Sequence, residues 1–148
     1  MIPARLNRME QLPPAYRSAI AAQIGTLSAF LGGFAATFLG TLLALRAKGR
    51  TATWAIGFAT ASSVAFIIAV VGSTAITAGL HPDAPRVGAP DLGGTRVAMT
   101  LAFAIGLYSI LVSLGLSGWS RSRRVGWTTS ILAGLGVLVV TSLVIGIG

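Results

Sequence analysis

The chain has 148 residues, 54% hydrophobic and 9% charged, with a mean hydropathy of +0.84, a formal charge of +8 and no cysteine. Soluble domains carry about 25% charged residues, so this composition cannot coat a water-exposed globule and excludes an ordinary soluble fold. The missing cysteines exclude disulfides and thiolate chemistry, and basic residues clustered between long apolar runs point to membrane topology and not to nucleic acid.

The N-terminal segment Met1–Ser18 carries Arg5, Arg8, Arg17 and Glu10, and Leu6, Met9 and Leu12 recur every third residue beside the first two arginines. That pattern predicts a frayed tail or a short interfacial helix ahead of the Pro13-Pro14 break. The apolar run that follows exceeds a signal peptide's h-region of about 7–15 residues, so no cleavage is expected.

Four charge-free stretches come next, at 24–45, 53–80, 97–118 and 127–148. A hydrocarbon core of about 30 Å needs roughly 20 apolar residues in a helix, and each stretch is long enough. The expected fold is all-α: residues 1–23 as a tail or interfacial helix, and 24–148 as one domain of four transmembrane helices. The second stretch is the longest and should tilt or protrude. Between the second and third lies His81-Pro-Asp-Ala-Pro-Arg-Val-Gly-Ala-Pro-Asp-Leu-Gly-Gly, whose prolines and glycines predict a loop. His81 reads as a solvated loop residue.

Orientation follows from basic residues in short loops. Arg46, Lys48, Arg50, Arg121, Arg123 and Arg124 share one side, against Arg5, Arg8, Arg17, Arg86 and Arg96 on the other. The compact RAKGR and RSRR clusters at helix ends favour the first set as cytoplasmic. Trp54, Trp119 and Trp127 flank the same two loops and place the aromatic anchors at one interface.

Membrane helices associate where small residues let backbones approach. The second stretch has Gly57, Ala61, Ala65, Ala69, Ser73 and Thr77 at every fourth position; the first has Ala29, Gly33, Thr37 and Thr41 on one row and Gly32, Ala36 and Gly40 on the next. Gly33, Gly40, Gly57, Ala61, Ala65, Ala69 and Ser73 are the expected packing face. No ionisable residue falls inside the charge-free stretches, which argues against proton-coupled efflux through an embedded carboxylate. Nucleophile elbows, phosphate loops, HExxH and usefully paired carboxylates are missing as well, so neither an enzyme nor a cofactor or metal is expected.

The stretch Ser28-Ala-Phe-Leu-Gly-Gly-Phe-Ala resembles the pore-lining first helix of the Orai calcium-channel family, which has a similar Ser-Ala-Leu-Leu-Ser-Gly-Phe-Ala. Looser likenesses follow in Ile56-Gly-Phe-Ala-Thr-Ala-Ser-Ser-Val, in His81-Pro-Asp and in Trp119, and the helix order matches. The resemblance implies a central pore along Ala22, Thr26, Phe30, Phe34, Thr37 and Thr41, with the N-terminus inside the cell, opposite to the charge-based orientation. Thr41 stands where the family has its selectivity glutamate, and Ala22 and Thr26 replace its basic inner residues. Without an acidic ring there is no high-field oxygen site for a divalent cation, so calcium selectivity does not carry over.

The sequence therefore predicts a small non-enzymatic protein of the lipid bilayer, in the cytoplasmic membrane of a prokaryotic cell. It is expected to form a homo-oligomer and a channel whose neutral pore face is Thr26, Phe30, Phe34, Thr37 and Thr41. An accessory or scaffolding subunit of a larger membrane complex and a membrane-perturbing, holin- or toxin-like protein are the alternatives.

Overall fold

The computed structural model describes residues 13–46, 48–81, 92–119 and 122–147. Within them the chain is all-helical: α1 Pro14–Ala44, α2 Arg50–Gly79, α3 Leu92–Trp119 and α4 Arg123–Ile147. All four helices are long and apolar enough to cross a membrane. The expected interfacial segment with Leu6, Met9 and Leu12, and most of the proline-rich connection, lie outside the described residues.

All four helices start earlier than the charge-free stretches suggest, α1 and α3 by the widest margins. Pro13 is extended at φ −53° and ψ 140°, and Pro14 opens α1 at a position whose N–H needs no partner. The helix then continues through Arg17, so residues 14–23 belong to α1 instead of to a separate tail. α3 likewise takes in Leu92, Gly93 and Gly94 from the end of the expected loop, and Arg96 ahead of the third charge-free stretch. Glycine costs about 1 kcal/mol in a helix interior, but two of them in a first turn are tolerated when the rest of the helix propagates.

The turns between α1 and α2 and between α3 and α4 are short. After Leu45, Arg46 adopts a left-handed φ of 45° and Gly49 one of 106°. With ψ at 164°, Gly49 occupies backbone space that is essentially reserved for glycine. Gly49→Ala should therefore lower stability by about 1–3 kcal/mol, read as a reduced melting midpoint in detergent; an unchanged midpoint would mean that the turn relaxes freely. Ser122 starts α4 by accepting a hydrogen bond from the Val125 N–H at 3.2 Å.

Each helix packs on the one before it, antiparallel, in an open array and not a closed bundle: α1 on α2, α2 on α3, and α3 on α4. α1 also touches α3, near the cluster of Ala21, Ala69, Ile76, Met99 and Ala102, whereas among the described helices α4 contacts α3 alone. The buried seam of α2 runs Ala52, Ala55, Ala59, Ser62, Phe66, Ala69, Ser73, Ile76. Steps alternating between three and four residues keep one stripe facing its neighbours, the spacing of left-handed helix pairs.

The seam is small almost throughout, so the backbones come close. Ser62 Oγ donates to the Gly106 carbonyl at 2.8 Å and Ser113 Oγ to the Ala55 carbonyl at 2.6 Å, two buried bonds that fix the α2–α3 register. One turn beyond the Ser62 bond stands the fully buried Phe66 ring, edge-on to Phe103 with centroids 6.1 Å apart. Phe66 fits because Gly106 and Gly32 have no side chain: a Cβ on Gly106 would lie 2.9 Å from the ring, and one on Gly32 3.1 Å from the Phe66 Cβ.

Candidate functional site

The five residues of the expected pore face all lie on one exposed side of α1. Phe30 is 75% exposed and Phe34 46%, and Thr26, Thr37 and Thr41 are exposed with them. α1 meets its neighbours through a different stripe, Ala21, Gly25, Ser28, Ala35 and Leu42, all buried. The division follows from helix geometry, since residues three and four apart share a face and the two sets are offset around the axis.

The chemistry of the exposed face is neutral. Phe34 stacks on Phe38, one turn along, with centroids 6.3 Å apart and planes 8° from parallel. Each threonine hydroxyl donates back to its own helix, Thr26 to the Ala22 carbonyl at 3.0 Å, Thr37 to Gly33 at 2.9 Å and Thr41 to Thr37 at 3.0 Å. Such bonds satisfy the hydroxyl hydrogens and leave the oxygens able to accept. Gly33 and Gly40 lie on exposed surface of the same helix, and a Cβ on either would meet nothing within 4 Å.

The residues chosen as a packing face divide between two environments. Ala65, Ala69 and Ser73 are buried, at 6%, 0% and 4% exposure, against other helices of the same chain. Gly57 and Ala61 are exposed, and Gly57 has space around it. A row with a strict four-residue step turns about 40° around the helix at each step, so it leaves one face and reaches another within a few turns. The signal that finds the contact stripe is the alternating three-four spacing from Ala52 to Ile76, which brings in Ala52, Ala55, Ala59, Ser62 and Phe66.

α4 is held to α3 by a second set of close contacts. Tyr108 and Thr141 share a hydrogen bond at 2.8 Å, and the Trp119 indole N–H donates to Ser130 Oγ at 2.9 Å. Thr129 packs over Gly118 and the Trp119 ring over Gly126, both places where a Cβ would collide.

Charged side chains among the described residues stand near helix ends. Arg46, Lys48 and Arg50 surround the first short turn, Arg123 and Arg124 the second, and all are exposed. Trp54, Trp119 and Trp127, exposed by 60%, 43% and 63%, lie at the same end of the array. Arg121 falls outside the described residues. The chain matches no family model, no curated protein and no solved structure.

Proposed function

We propose that the chain is a non-enzymatic integral membrane protein whose copies associate through the outer face of α1. Thr26, Phe30, Phe34, Thr37 and Thr41 then surround a neutral pore. One observation carries this reading: α1 spends one stripe on its own chain and leaves another, with Gly33, Gly40 and two phenylalanines, without a partner among the described residues. In lipid the hydrophobic effect does not drive helices together, and small residues open to close approach are what favours association. A phenylalanine constriction between threonine collars gates by wetting, so such a pore conducts little at rest. The Orai resemblance of this helix supports the same assignment of pore residues.

The back-bonded threonines favour a second reading, in which the face rests against lipid or a different subunit of a larger complex. The mass of the protein in nanodiscs separates the two, because the pore reading expects a defined homo-oligomer that Gly33→Leu disperses. In proteoliposomes Phe34→Ser should then raise ion leak roughly tenfold, as about 1.4 kcal/mol off a wetting barrier would give. A monomer, or an unaltered leak in correctly assembled Phe34→Ser, would overturn the pore.

A further inference from the structure

We propose that the end of the molecule formed by the two short turns binds the headgroups of anionic phospholipids, an inference that rests on the membrane reading above. The turns lie side by side because α1–α2 and α3–α4 are antiparallel pairs joined by antiparallel α2–α3 packing. Arg46, Lys48, Arg50, Arg123 and Arg124 are therefore gathered, exposed, at a single end.

The described residues include no acidic side chain to neutralise them. Neither α2 nor α4 has an acidic residue in its first turn. Glu10, Asp83 and Asp91, the chain's three acidic residues, lie outside the described residues. Arg50, Arg123 and Arg124 also sit in first turns, where the positive end of the helix dipole repels a cation and attracts an anion. No described side chain supplies the countercharge, which an external anion would provide.

The depth of the patch identifies its source. Trp54, Trp119 and Trp127 are exposed within a turn or two of the basic residues, and Trp119 and Trp127 pair with ring centroids 6.4 Å apart. Amphipathic rings of this kind lie at headgroup level. Lipid phosphates are the anions held at that level, and basic side chains next to apolar helices attract them.

The same tryptophans, the only three in the chain, report on the site. The full-length protein is placed in nanodiscs of phosphatidylcholine and phosphatidylglycerol, with bromine on the acyl chains of one lipid at a time, and tryptophan emission is measured. Brominated phosphatidylglycerol should quench at least about fivefold more per lipid than brominated phosphatidylcholine, the attraction of roughly one basic residue to an anionic surface. The preference should fall towards unity in high salt and in the Arg46→Gln/Lys48→Gln/Arg50→Gln/Arg123→Gln/Arg124→Gln variant. Should that variant fail to reconstitute, Arg123→Gln/Arg124→Gln alone should lower the preference.

Equal quenching by the two lipids in the unmodified protein overturns the proposal, and binding of a fluorescent acidic peptide in that case gives the patch to a protein partner. A preference that survives the substitutions overturns it too, since the anionic lipid then binds elsewhere. Quenching by neither lipid instead removes the membrane reading, and this inference falls with it.

Discussion

Gly106→Leu should separate α2 from α3 and abolish the folded array. The new side chain would have to enter the volume of the Phe66 ring, 2.9 Å from where even its first carbon would stand. The ring has no retreat, because Gly32 of α1 closes on the Phe66 Cβ from the other side. Overpacking costs about 1–3 kcal/mol when neighbours can shift, so with the ring pinned between two helices a loss of at least about 3 kcal/mol is expected. The Ser62 and Ser113 bonds across the same interface, worth about 0.6 kcal/mol each in membrane helices, are too weak to resist it. Unfolding by titration with a denaturing detergent measures the loss. Gly106→Ala should show a smaller one, partly recovered by adding Phe66→Leu, and the absence of such recovery would mean that the damage does not pass through the ring.

The second large effect is confined to α4. Because α4 touches α3 and no other described helix, Gly118→Leu should release it while α1–α3 stay packed. A Cβ at Gly118 would run into Thr129, with its Cβ 2.9 Å and its Cγ2 3.0 Å away, and α4 has no second neighbour to hold it in place. The cost should again be about 3 kcal/mol, now charged to one helix. With no native cysteine, a Gly115→Cys/Ala133→Cys pair, whose Cβ atoms would face each other 3.3 Å apart, reports docking by its rate of crosslinking. Gly118→Leu should reduce that rate at least tenfold and disturb the Trp119–Trp127 emission. An unchanged crosslinking rate would show that α4 is held by something other than this contact.

The lengths and approximate positions of the helices were legible because unbroken apolar runs leave few alternatives, and the two short basic turns stood out by charge. Helix starts were not, since apolar runs give no sign that a helix continues back through Arg17 or Arg96, whereas long basic side chains near a helix end reach past apolar surface without interrupting the backbone. Which face meets which was harder. In a soluble helix the apolar stripe marks the core, but here the exposed Val64, Ile67, Ile68 and Val71 are as apolar as anything buried, and only residue size separates inside from outside. Size alone selected Gly57 and Ala61 along with Ala65 and Ala69. Phe66, the large side chain at the centre of the seam, was invisible to that criterion because its place depends on glycines forty residues down the chain and thirty-four residues up it, at Gly106 and Gly32.

The order of packing bears on how such a chain is made. Since each helix after the first packs on the one synthesised just before it, no helix has to wait for a distant stretch of sequence to emerge before it finds a neighbour. Each hairpin closes a local loop, the cheapest kind in chain entropy and the fastest to form. The α1–α2 pair can dock first, α3 can then slide its Gly106 over a Phe66 already in position, and α4 arrives last on a finished surface. A ribosome halted at any helix boundary would leave a shorter version of the same array, with the unfinished edge always on the most recently made helix.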